Sequence, residues 1–163
     1  MATITMTPAQ DAVLAELFID APPARVFQAI TDPAQLLQWW GQEGMYRTTG
    51  WQGDLRVGGS WRSEGVGADG SAFQVSGEYL EVDPPRLLVY SWIATWTPDL
   101  KTTVRWELTP QNSGTLLKVR HSGFAGNSKA AQDHSNGWQR VLGWMQGFVE
   151  KGDTIDSRGP LSK

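Results

Sequence analysis

The chain has 163 residues, a formal net charge of -3, nine tryptophans and no cysteine. One domain fits this length better than two; disulfides, thiolate metal sites and a cysteine nucleophile are excluded, and the acidic balance argues against a general nucleic-acid binder. No apolar run reaches the roughly 18 residues of a membrane span, no basic-then-apolar leader opens the sequence, and the lack of cysteine suits a reducing cytoplasm, the expected compartment.

Residues 1–10 are polar and threonine-rich, and are expected to form a flexible N-terminal segment. From Asp11 to Asp20, Val13, Ala15, Leu17 and Ile19 alternate as in a strand. Ala21-Pro22-Pro23 stops it, and proline is at home in the first turn of a helix. Val26, Phe27 and Ile30 then follow helical spacing to about Thr31. Asp32-Pro33 is a second start signal, an N-cap followed by a first-turn proline; Leu36, Leu37, Trp39 and Trp40 complete that short helix before Gly41.

From about Tyr46 to Gly123 the pattern is strand-like. Ala68-Asp69-Gly70 signals a hairpin turn, and Asp83-Pro84-Pro85 interrupts the alternation of Phe73, Val75 and Tyr79. Arg86 to Trp96 reads as a long apolar strand turned by Thr97-Pro98-Asp99. Val104, Trp106 and Leu108 then alternate with polar neighbours, and so do Leu117, Val119 and His121 after a turn over residues 110–114. Regular strands joined by short turns are antiparallel neighbours. A final helix begins between Ser128 and Ser135 and ends near Gly152, with Trp138, Val141, Leu142, Met145, Phe148 and Val149 on one stripe. Residues 153–163 lack periodicity and are expected to be a flexible tail.

A meander cannot bury its apolar face alone, and the last helix is the one long amphipathic element able to cover it. The expected fold is therefore α+β: a curved antiparallel sheet of about six to seven strands wrapped around a long C-terminal helix, with two short helices after the first strand. It forms a single domain over residues 11–152.

This element order resembles the helix-grip, START-like or Bet v 1-like superfamily. Local strings are more specific. The segment 21–33 followed by Leu36 and Trp39-Trp40, then Gly58-Gly59-Ser60-Trp61, Asp83-Pro84-Pro85-Arg86-Leu87 running to Trp92, Gly114-Thr115-Leu116, His121-Ser122-Gly123-Phe124, and His134 with Gly137-Trp138 resemble Hsp90-ATPase-activator-like domains over about residues 11–151. The superfamily includes lipid carriers, hormone and flavonoid binders, polyketide cyclases and a co-chaperone domain. The co-chaperone carries another domain ahead of this one; with about ten residues ahead of the first strand here, chaperone activation is not the leading expectation.

Several residues invite a chemical reading. His134 lies four residues before Trp138, on the same helix face, and His121 shares the inward parity of Leu117 and Val119. They read as a polar pair at one end of an apolar cavity, able to orient a ligand or move a proton. They also read, and more simply, as buried groups that fix the helix start through hydrogen bonds. His121, Asp133 and His134 are the local metal candidates, but adjacent helix positions project about 100° apart, so no metal and no cofactor is expected. There is no Gly-x-Ser-x-Gly elbow, and Gly58-Gly59 reads as a bend that lets the sheet curl. Gly143 and Gly147 would permit close approach of a second copy, so a homodimer stays open.

The leading expectation is a binding or carrier protein for a small, mostly apolar molecule, lipid-like or aromatic. Trp92, Trp96, Trp106, Trp138 and Met145 form its walls, Trp39, Trp40 and Trp61 stand near an entrance, and His121 and His134 supply oriented polar contacts. A cyclase- or aromatase-type enzyme using His134 as acid or base is the first alternative. A chaperone-associated interaction module, with a filled interior and an apolar outer patch, is the second. A cavity of at least roughly 300 Å³ between helix and sheet separates small-molecule binding from that last reading.

Overall fold

The computed structural model describes residues 3–6, 11–124 and 126–160. In chain order the elements are β1 (Thr3–Met6), β2 (Ala12–Ile19), α1 (Pro23–Thr31), α2 (Pro33–Trp39), β3 (Gly41–Gln42), β4 (Tyr46–Gly53), β5 (Ser60–Gly67), β6 (Ala72–Asp83), β7 (Leu87–Ala94), β8 (Thr97–Gln111), β9 (Gly114–Ser122), α3 (Ser128–Lys151) and α4 (Ile155–Arg158). The strands form one curved sheet in the order β1-β2-β9-β8-β7-β6-β5-β4-β3, antiparallel at each pairing. α3 packs against it, as the α+β helix-grip reading requires.

Local chemistry explains the helix boundaries. α1 and α2 each carry proline in the first turn, and the Asp32 carboxylate accepts the Ala34 N–H at 3.1 Å, satisfying a donor with no partner inside the helix. Asn127 caps α3 through the Ala130 N–H at 3.0 Å. Gly152 ends it in the left-handed region at φ 76°, where a side chain would be strained.

Four expectations are corrected. The sheet has nine strands rather than six or seven. One of the additions is β1, within the segment expected to be flexible: Ile4 pairs with Ala15 and Met6 with Val13, so a short polar strand gains order from its neighbour. The other is the two-residue β3. The tail is also structured. α4 buries Ile155, and the Arg158 guanidinium donates to the carbonyls of Trp39, Gly41 and Trp144 while lying 5.4 Å from the Trp144 ring. The Trp39 and Gly41 carbonyls, where α2 gives way to β3, need donors, and a planar guanidinium reaches these and the Trp144 carbonyl at once. The remaining parts of both expected flexible ends lie outside the described residues. Finally, the β7–β8 turn falls at residues 95–96 instead of 97–99. Pro98 is accommodated inside β8 because residues 98–101 lie in the register shift between the Ala94–Thr97 and Trp92–Thr102 pairs, where a bulge leaves no ladder bond for its missing N–H to break.

On the outer face, Arg105 meets Glu81 at 3.3 Å and Glu107 at 3.1 Å, an exposed network of the kind that contributes little to stability. No described helix is long and apolar enough to cross a membrane.

Candidate binding site

Opposite residues of adjacent strands share a face of the sheet. Trp51 stands opposite Ser63, Ser63 opposite Val75, and Gly65 opposite Phe73. Further along, Trp92 is opposite Thr102, and His121 lies between Val13 and Val104. Of these, Trp51, Ser63, Phe73, Val75, Trp92 and His121 face the first half of α3 across a cavity of about 310 Å³. Five indoles line it, those of Trp40, Trp51, Trp92, Trp96 and Trp138, with Tyr46, Phe73, Val75 and Val141 between them. Polar groups reach the same space from Thr48, Ser63, His121, Asp133, His134 and Arg140. Two larger depressions, about 640 and 610 Å³, are open and lined chiefly by polar residues such as Gln52, Arg62, Glu16 and Lys118. The smaller space has the largely apolar walls and few polar groups that small-molecule sites show.

The indoles are held flat by one another. Trp39 stacks on Trp40 with centroids 5.0 Å apart, Trp51 on Trp61 at 5.2 Å and 12° between planes, and Trp92 lies 6.3 Å from Trp40 and 5.6 Å from Trp61. Around the edge of the cavity, Phe73 meets Tyr46 and Trp96 edge-on, each at 5.7 Å. Offset and edge-to-face contacts of this kind add about 0.5–1.5 kcal/mol each beyond area burial.

His121 is locked into a relay. An indole N–H only donates, so the Trp138 Nε1–H bond of 3.0 Å to His121 Nδ1 makes that nitrogen the acceptor. The proton of the neutral ring is then on Nε2, 2.7 Å from Thr102 Oγ1, and the Thr102 hydroxyl donates to the Trp92 carbonyl at 3.2 Å. Burial, with His134 adding to it, pushes the His121 pKa well below its ordinary value, so the neutral form is retained. Both nitrogens are committed, and of the two readings open for His121 the structural one fits.

His134 differs. Its ring lies 4.6 Å from that of His121 and 6.2 Å from Trp92, and its nitrogens have no hydrogen-bond partner among the described residues. Burial lowers its pKa to about 4, against a small opposing effect of Asp133. Trp92 Nε1 is also buried without an acceptor among the described residues. Trp51 Nε1 misses hydrogen-bond geometry too, though it interacts with the Tyr79 hydroxyl. The Tyr46 hydroxyl accepts the Trp40 N–H at 3.1 Å, and burial pushes its pKa up to about 12. Among the described residues no group of three or more His, Asp or Glu side chains is placed to hold a metal ion.

A family model described as Activator of Hsp90 ATPase homolog 1-like protein matches residues 20–150. The chain belongs to this family. The resemblance carried by the strings from residue 21 to Trp138 is thereby borne out. Solved structures agree on the fold of this Hsp90-activator-like chain. A Chromobacterium violaceum protein is 26% identical with a TM-score of 0.74, covering 86% of this chain and 98% of its own. A Rhodobacter sphaeroides protein is 21% identical with a TM-score of 0.78, covering 91% and 96%. The AHSA1-like protein from Aeromonas hydrophila is 24% identical with a TM-score of 0.72, covering 86% and 93%. No curated protein matches the chain.

Within this family fold, the residues expected at the site separate into two layers. Trp40, Trp92, Trp96, His121, His134 and Trp138 line the cavity. Trp39, Trp61, Trp106 and Met145 do not; they are nearly or fully buried behind it. Trp39 and Trp61 are therefore not at an entrance: their N–H groups bond the carbonyls of Ala29 and Ser91 in the interior. Trp106 donates to the Tyr90 hydroxyl and meets Trp138 edge-on at 5.3 Å. Sequence reading missed Tyr46, Thr48, Trp51, Ser63, Phe73, Val75 and Arg140. Trp51 was hidden by a register shift between Thr48 and Gly50, which puts Thr48 and Trp51 on one face against the simple period of two. Phe73 and Val75 carried a usable signal, since their inward parity continues to Tyr79.

Proposed function

We propose that this protein binds a small, mostly apolar molecule in the cavity between the sheet and the first half of α3. The observation that carries the reading is the combination of flat indole walls with polar groups that have no protein partner. The Trp92 N–H and the Thr48, Ser63 and His134 side chains all border the cavity without a hydrogen bond from another described residue. Of these the Trp92 N–H is the fully buried one, and leaving such a donor unsatisfied costs about 1–3 kcal/mol; a ligand acceptor supplies its partner, and the more accessible Thr48, Ser63 and His134 groups offer further polar contacts. The volume lies at the small end of the range for such sites. An interaction module would be expected to fill this space, so the cavity weighs against that alternative.

Naphthalene, 2-naphthol and decanoate titrated against intrinsic tryptophan fluorescence test the proposal. At least one should change the emission and raise the melting temperature. Saturation at about 100 times its dissociation constant stabilises the native state by about 2.7 kcal/mol. No change with any of the three, by either measurement, overturns it.

A second reading, a cyclase-type enzyme, is favoured by one observation, the unpartnered His134 imidazole beside the cavity. With His121 committed on both nitrogens, His134 is the imidazole left for proton transfer. His134→Ala would then reduce turnover of a substrate by about 100-fold or more while ligand binding persists.

A further inference from the structure

We infer that the cavity's ligand is a flat aromatic acid whose ring system lies among the indoles and whose anionic group emerges beside Arg140. The inference rests on the reading that the cavity binds small molecules, and it adds the ligand's shape and charge.

The shape follows from the walls. Trp40, Trp51 and Trp92 border the cavity with rings held in place by contact with Trp39, with Trp61 and with each other. Their supports, Trp39 and Trp61, are fixed by hydrogen bonds to main-chain carbonyls. A wall braced in this way does not re-pack around a flexible chain, and it matches a rigid ring that loses little conformational freedom on binding. Planar groups gain additional energy from offset or edge-to-face contact with such rings.

The charge follows from an inventory of the groups that border the cavity. His121 and His134 are held neutral by burial. Asp133 is already paired with Lys129 at 2.9 Å. Arg140 has no ion pair among the described residues, and its charge is felt at the Tyr46 hydroxyl on the opposite wall. One cation without a counter-charge thus borders an aromatic cavity whose orphan inner group, the Trp92 N–H, is a donor. A carboxylate or similar anion beside Arg140 supplies the missing charge and keeps its own partial exposure to water. Bidentate recognition of this kind is what guanidinium does better than ammonium.

The test compares naphthalene-2-carboxylate with the neutral, near-isosteric naphthalene-2-carboxamide, by calorimetry or tryptophan quenching at low ionic strength. The carboxylate should bind about three- to tenfold more tightly, the range between an exposed and a partly shielded charge-assisted hydrogen bond. Arg140→Gln should abolish that preference and Arg140→Lys should retain part of it. Arg140 is exposed, so its substitution leaves the fold in place. Equal binding of acid and amide, or a preference that survives Arg140→Gln, overturns the assignment of an aromatic acid while the cavity reading stands. Failure of both compounds together with naphthalene overturns both.

Discussion

The two halves of α3 carry one continuous apolar stripe, yet one half closes the protein and the other leaves a cavity. Leu142, Met145 and Phe148 in the second half are buried. They sit where α1 and α2 supply another layer of side chains, with Arg25 of α1 lying 5.2 Å from the Phe148 ring. The first half, from Asp133 to Val141, faces β4 to β7, whose rings lie largely against one another, with Trp92 also meeting His134 of the helix edge-on at 6.2 Å. Rigid rings that satisfy each other do not collapse into the remaining space, whereas aliphatic side chains interdigitate until little is left. The helix therefore sets the face, and the partner surface decides between core and cavity.

The largest effect that would sharpen this contrast comes from the closed region. Trp106 is fully buried and bonded to Tyr90, so Trp106→Ala should cost about 3–5 kcal/mol in a urea titration. A loss below about 1 kcal/mol would mean that this region tolerates voids as the other does.

A smaller effect belongs to the cavity end. His121 and His134 have pKa values below the ordinary histidine value, the latter at about 4. Near that ordinary value, about 6.5, the unfolded chain takes up protons that the native state refuses. Stability contributed by the two rings is thus complete above about pH 6.5 and is lost as pH falls toward their folded values. Between pH 7 and pH 5 the loss should be about 3–4 kcal/mol for two rings that stay neutral in the native state, and His134→Gln should reduce its slope. A flat profile over that interval would place charged imidazoles in the native state.

Next is the tie between the helix and the sheet. Trp138→Phe keeps a ring but leaves His121 Nδ1 without its donor, and should cost about 1–3 kcal/mol. If it costs nothing, the relay through Thr102 does not hold the cavity end together. The smallest effect is expected at the edge of the cavity. Trp96 is 55% exposed, so Trp96→Ala should change stability by less than about 0.5 kcal/mol. Its effect on binding of 2-naphthol is the separate measure of whether it contacts ligand.

Much of this architecture was legible in the residues. Alternation placed Trp106, Val119 and His121 inward, and the 3.6-residue stripe placed His134 and Trp138 on the sheet-facing side of α3. Periodicity does not say how far along the interior a side chain lies. Trp106 and Met145 were therefore assigned the right face and the wrong layer. Arg140 is outside the apolar stripe of the helix, and periodicity does not show that a long side chain at the edge of a stripe still reaches the cavity. β1 and α4 escaped because their order comes from what they dock on: Glu16 to Val13 for the first, and the carbonyls at the end of α2 for the second.

The stacked indoles have an optical consequence. Trp51 and Trp61, 5.2 Å apart and 12° from parallel, and Trp39 and Trp40, 5.0 Å apart and 22° from parallel, are close enough for their excited states to couple. Light absorbed by one ring is shared with its neighbour, and the chirality of the arrangement appears as a paired positive and negative band in circular dichroism. That couplet reports the packing of side chains, independently of the backbone signal. A state that keeps its strands but loosens its interior would lose the couplet first, so the protein carries an internal gauge of order in the walls of its own cavity.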